Sequence, residues 1–202
     1  MPEWRNFSGD TSWVAGGAVL SPPPSKGGIP RYRYMLERWW EPGGDFILWV
    51  LLNPADADAS KPDNTVTKCI ERTRSIRPSF GGLRIVNLFA WRDPRPQTLR
   101  HLSFEEAVGN PYTDAFVQMV TASAGLTIVG WGDARGVEGS WLDEREAAMW
   151  EVLVDPHCLG STDKGRPCHP KPQNSSQLPV ETEPSRWKGP RRRNFPTRRI
   201  PD

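Results

Sequence analysis

The chain is short of the features that announce whole classes of protein. It has only three cysteines, Cys69, Cys158 and Cys168, in 202 residues. An odd count without CxxC spacing excludes a disulfide framework and a zinc ribbon. Cys158, Cys168 and His169 leave a four-ligand metal set incomplete. No apolar run reaches the roughly 20 residues that span a bilayer, and no basic-then-apolar leader opens the chain. Neither common Gly-rich phosphate loop is present, and there is no internal repeat. These absences point to a soluble, cytoplasmic protein with reduced thiols and no membrane span; it is expected to be a monomer, and no metal or organic cofactor is implied.

Aliphatic side chains are also scarce, but unevenly so. Apolar residues make up 37% of the chain, and there are 21 prolines. Residues 172–202 are almost free of aliphatics, whereas 31–160 have an ordinary share. The expected organisation is an irregular segment over 1–30, one α/β domain over 31–172, and a flexible Pro/Arg-rich basic tail over 173–202. Net charge is only +2. From Ser185 onward, however, there are seven basic residues and one acid, leaving 19 basic and 23 acidic residues elsewhere. A basic tail on a mildly acidic body reads as an arm for a polyanion, or as a solubilising segment.

What is present is a set of apolar runs that stop on polar residues. Arg31-Tyr32-Arg33-Tyr34 alternates basic and aromatic residues, which predicts a half-exposed strand. Phe46 to Leu52 is continuously apolar and stops at Asn53-Pro54, which predicts a strand buried on both faces. Asn64 can cap a helix over 65–77. Leu83 to Ala90 forms a second such strand and carries Asn87. A helix opens at Asn110 or Pro111 and runs to about Ser123. Leu126 to Gly132 is a third strand, Glu138 to Val154 a helix, and His157 to Gly160 a short last strand. This order predicts a mainly parallel central sheet with helices on both faces.

Ligands of open α/β sheets bind beyond the carboxyl ends of the strands. Asn53, Asn87, Trp131-Gly132 and His169 follow successive strands, so they are expected to meet at that edge. Each has a plainer reading, as a turn amide, a core amide, a clearance glycine or a structural histidine.

Asn53-Pro54 after an apolar strand resembles the water-activating motif of the uracil-DNA glycosylase superfamily. The strand ending in Asn87 is similar to its base-reading strand, and His169-Pro170-Lys171-Pro172 resembles its His-Pro-Ser-Pro loop. Over 31–172 the Arg-Tyr-Arg-Tyr start, the Leu-Asn-Pro stretch and the Asn-Leu-Phe-Ala segment also resemble the DUF1643 family. The resemblance implies a glycosylase-like fold and a monofunctional DNA glycosylase that flips a base, hydrolyses its N-glycosidic bond and leaves an abasic site. Asn53 would orient water, with Asp56 supplying a carboxylate and Asp58 and Asp63 as auxiliary acids. Asn87 would read the base edge and His169 would donate to its oxygen. Phe89, Trp91 or Trp131 would contact the base. Lys164, Lys171, Arg191, Arg192 and Arg193 would meet DNA phosphates.

Two departures matter. Ala55 stands where uracil-specific enzymes carry a tyrosine that blocks C5 substituents. The implied substrate is therefore a 5-substituted pyrimidine, such as glucosylated hydroxymethylcytosine of phage DNA, in phage defence or repair. Lys171 replaces the family's serine, and no wedge residue is evident. The competing expectations are a non-catalytic DNA-binding protein, a hydrolase of free nucleosides or nucleotides, and a protein-interaction module suggested by the ten tryptophans.

Overall fold

The computed structural model describes residues 5–6, 15–21, 31–58, 60–134, 136–137, 139–171 and 178–190. Its strands are β1 (Arg5–Asn6), β2 (Ala15–Ser21), β3 (Tyr32–Trp39), β4 (Phe46–Leu51), β5 (Gly82–Asn87), β6 (Leu126–Val129), β7 (His157–Cys158) and β8 (Ser185–Arg186). The helices are α1 (Asn64–Ile76), α2 (Phe104–Val108), α3 (Tyr112–Thr121) and α4 (Gly139–Val152). Among the described residues no helix is long and apolar enough to cross a membrane.

All eight strands form one sheet in the order β1-β2-β3-β5-β4-β6-β7-β8. The middle, β5-β4-β6-β7, is parallel. Both flanks are antiparallel. The sheet is thus mixed, and the expectation of a mainly parallel one holds only for its centre.

β4 organises the core. Its side chains alternate faces with the two-residue period of a strand. Phe46, Leu48 and Val50 enter one apolar cluster, with Val117 and Val120 of α3 and Leu142 and Met149 of α4. Ile47, Trp49 and Leu51 enter the other, with Val66, Cys69 and Ile70 of α1. Helices therefore cover both faces, and β4 is buried throughout. The Trp49 indole N–H donates to Thr73 Oγ1 at 3.0 Å, satisfying the one polar atom it takes inside.

Three expectations about the edges of the domain are corrected. The lead-in carries a seven-residue strand: β2 pairs with β3 along its whole length. Arg33 and Tyr34 lie in a strand buried on both sides rather than half exposed, because β2 and β5 flank it and the helices cover it. Residues 178–190, expected in a flexible tail, are built into the domain. β8 extends the sheet, and Leu178 and Trp187 are buried. Trp187 packs edge-on against Trp131 at 5.1 Å and against Trp150 at 5.4 Å. Arg72, on α1, holds the start of this segment by donating to the carbonyls of Pro170, Leu178 and Pro179 at 2.7–2.9 Å.

Candidate functional site

From β4 the chain passes through α1 to β5 on one side. From β6 it passes through α4 to β7 on the other. The loops leaving the carboxyl ends of β4 and β6 therefore diverge, and a crevice opens between them. A cleft of about 800 Å³ lies there. It is lined by Asn53 and Ala55 from the loop after β4, by Trp131, Gly132 and Asp133 after β6, and by Ser161, Thr162 and Asp163 after β7. Asp63, Asp93, His169, Lys171 and Arg33 add charged and titratable groups to its lining.

The loop after β4 is fixed by Asn53 itself. Its Nδ2 donates to the carbonyl oxygens of Asp93 at 2.8 Å and Pro54 at 3.2 Å. Two carbonyl acceptors require the NH2 group on that side, so the orientation of the amide is determined. Oδ1 remains as the atom able to accept from water or a ligand. The backbone N–H of Asp93 returns a bond to Pro54 O at 3.0 Å.

His169 reaches the cleft because the β6 exit leaves it space. At Gly130 a Cβ would lie 3.0 Å from Cys168 O and 3.1 Å from Pro170 Cδ. The N–H of Gly132, a residue at φ +67°, donates to Pro167 O at 2.8 Å. The return segment is thereby clamped to β6. His169 Nδ1 stands 3.1 Å from both the N–H and the carbonyl oxygen of Lys171. A neutral imidazole can satisfy one of these; accepting from the N–H leaves Nε2 protonated as a donor. Burial lowers the imidazole below its ordinary value of 6.5, with the Lys171 contact opposing. A histidine with a lowered folded value favours the fold when neutral. As pH falls through 6.5 the unfolded chain takes up the proton first. Stability is therefore full above that value and is lost on acidification until the folded imidazole also protonates. His169→Asn is expected to flatten this decline in thermal melts between about pH 7.5 and 5.5; an unchanged profile would show that His169 does not contribute.

The other expected site residues divide sharply. Asp63 lines the cleft, but its Oδ1 accepts from the N–H groups of Thr65 and Val66, both at 2.9 Å. It is the N-cap of α1, the role expected of Asn64. Asp58 is consumed in a turn, accepting from Ser60 and Lys61 N–H at 2.8 Å; these bonds lower its carboxyl value despite opposing desolvation. Asp56 is exposed and lies outside the lining. Asn87, at 2% exposure, lies behind the cleft and does not line it. Phe89 is a core residue packed against Phe104 and Trp141, so it cannot stack on a ligand. Trp91 packs on Tyr32, away from the lining. Trp131 lines the cleft, but its ring is 2% exposed and its N–H is held by Glu146 Oε1 at 2.7 Å. It is a wall rather than a free stacking platform. Lys171 borders the cleft and is exposed; Lys164 is exposed on a turn outside it. Arg191, Arg192 and Arg193 lie outside the described residues.

Reading the sequence alone missed Arg33, Asp93, Asp133 and Thr162. Asp133 is oriented by the Thr162 hydroxyl, which donates to its Oδ1 at 2.6 Å. Thr162 in turn accepts from Arg166 N–H at 3.2 Å. Arg166 is anchored on α4 through Glu146 at 3.1 Å and Asp143 at 2.6 Å. Burial raises the Glu146 carboxyl value, while its bonds from Trp131 and Arg166 oppose this. Among the described residues no three His, Cys, Asp or Glu side chains group as a metal-binding set.

Residues 33–171 match the family model described as "Protein of unknown function (DUF1643)". The chain belongs to the DUF1643 family. Its match begins at Arg33 and ends at Lys171, so the DUF1643 region spans the cleft residues from the buried cation to the exposed one. No curated protein and no solved structure matches the chain. The likeness to uracil-DNA glycosylases thus rests on the short strand-end motifs alone.

Proposed function

We propose that the DUF1643 cleft binds a nucleoside unit and hydrolyses its N-glycosidic bond, acting as a DNA glycosylase on an extruded base. The observation that carries this reading is the presence of Asn53 and His169 in one cleft at the carboxyl ends of parallel strands. Its volume of about 800 Å³ falls within the range of small-molecule sites, roughly 300–1,000 Å³.

In this reading Asn53 Oδ1 accepts a hydrogen bond from the attacking water. Asp133, held by Thr162, takes the place expected of Asp56. As the C1′–N bond breaks, its electron pair passes to the base. The water oxygen bonds to C1′, and the water's proton passes to the Asp133 carboxylate. The carboxylates of the lining favour the sugar cation that develops between these events. His169 Nε2–H donates to the departing base, which takes its proton from solvent on release. Ala55 lines the cleft as a small side chain, which supports a 5-substituted pyrimidine as the base.

A second reading, hydrolysis of a free nucleoside, is favoured by charge. The lining carries Asp63, Asp93, Asp133 and Asp163 against Arg33 and Lys171, a balance that does not attract phosphates. One experiment tests both readings. The protein is incubated with DNA bearing uracil or 5-substituted cytosines, and separately with the matching free nucleosides. Abasic sites are detected by alkaline cleavage and free base by chromatography. Release from DNA supports the first reading, and release from nucleosides alone the second. No release from any member of a broad panel would end the hydrolase reading.

A further inference from the structure

Arg33 is a buried cation that the proposed reaction does not yet use. It lines the cleft, yet it is 2% exposed. Its Nη1 donates to Ala57 O at 2.9 Å, and its Nη2 reaches Asn87 Oδ1 only at 3.4 Å. Among the described residues its Nε has no hydrogen-bond partner, and neither does the Nδ2 of the neighbouring Asn87. Among the described residues no carboxylate lies within ion-pair distance of Arg33. Burial holds its guanidinium down to about 10, with the field of Asp63 opposing and those of Arg92 and Arg38 adding to the fall. It remains a cation at neutral pH.

A buried cation without a bonded counter-ion is costly, and proteins that keep one normally supply an anion to it. Buried donors left without acceptors carry a further cost. The charge and the unpaired Nε of Arg33 fall together at the cleft, and an anionic ligand there would offset both, while Asn87 Nδ2 lies outside the lining.

We infer that Arg33 forms an anion-receiving floor for the cleft, and that the anion is an oxygen of the departing base. The identity of that anion rests on the hydrolytic reading above; the anion site itself rests on the burial and missing partners of Arg33. The base then leaves as an anion. It is stabilised by a permanent charge below it and by a neutral histidine beside it, and needs no acid to protonate it during bond breaking. Asn87, expected to read the base directly, instead acts behind Arg33 by orienting the guanidinium.

The test uses the full chain and three probes in titration calorimetry at about pH 8: 5-nitrouracil, a pyrimidine that is anionic there; thymine, which is neutral and of similar size; and inorganic phosphate. One charge-assisted hydrogen bond is worth about 1.5–3 kcal/mol, so 5-nitrouracil is expected to bind roughly tenfold or more tightly than thymine. Arg33→Gln should abolish the preference, and Arg33→Lys should keep part of it, since it keeps the charge but loses the planar fork. Equal binding of the two pyrimidines by the wild type would overturn the inference, as would a preference that survives in Arg33→Gln. If circular dichroism shows Arg33→Gln to be unfolded, the wild type and Arg33→Lys decide. Phosphate binding as tight as that of 5-nitrouracil would overturn the assignment to a base. Anion preference without any base release would sink the hydrolytic reading and leave the anion site standing; base release without the preference would do the reverse.

Discussion

Asn53→Ala is expected to lower the single-turnover rate of base release by about 10²–10⁴-fold, the range for losing a group that positions a proton-transfer partner. The loss should fall on the chemical step, with substrate affinity changed far less. The geometry also predicts how Asn53→Asp behaves. The Asn53 amide is held by donating to two carbonyl oxygens, at 2.8 and 3.2 Å. A carboxylate has nothing to donate and would face those carbonyls as one acceptor against two. Although an aspartate could accept the water proton, it should rotate away and loosen the loop to Asp93. Asn53→Asp is therefore expected to lose activity and to melt below the wild type. An active, fully stable Asn53→Asp protein would show that the tether is unimportant and that this position needs only an oxygen.

Arg72→Met is expected to reduce stability by about 2–4 kcal/mol in urea denaturation. The substitution retains an apolar stem of similar length but removes the bonds to Pro170, Leu178 and Pro179. These bonds bridge more than 95 residues of sequence, so the loss is of tertiary rather than helical structure. Hydrogen exchange should accelerate first in 178–187, where β8 has only two residues of pairing and Trp187 provides the main apolar anchor. Because Trp187 packs on Trp131 at the wall of the cleft, binding of a ligand should weaken as well. Unchanged stability together with unchanged exchange in 178–187 would show that the segment is held without Arg72.

The strands from Phe46 to Cys158 and the helices α1, α3 and α4 between them were legible because each buried strand is a short apolar run closed by a turn residue; the short α2 was not read. The place of Asn53 was legible for a related reason: a parallel strand must deliver its next residues to the carboxyl edge, whereas His169, well beyond β7, is brought there by the segment that returns to β6. What could not be read was which strands become neighbours. β6 crosses to the far side of β4, and this crossing places Asp133 in the cleft while leaving Asn87 behind Arg33. Arg33 itself reads as a surface residue, since nothing local shows that backbone and amide oxygens will accept its donors inside the domain. Asp58 and Asp63 show the converse problem. Acids near a strand end serve equally well to cap a turn or a helix, and here the free N–H groups of Ser60, Lys61, Thr65 and Val66 claim them. In the last segment, Trp187, Leu178 and the bonds from Arg72 hold the chain to the domain, and composition averages dilute such anchors.

The most direct test is the crystal structure of the protein with an oligonucleotide whose modified pyrimidine carries a 2′-fluorinated sugar that resists cleavage. An extruded base is expected within the cleft, its glycosidic carbon facing Asn53 Oδ1 and a base oxygen directed toward Arg33 and His169. A base that stays stacked in the oligonucleotide, or one bound elsewhere on the protein with this cleft vacant, would contradict it.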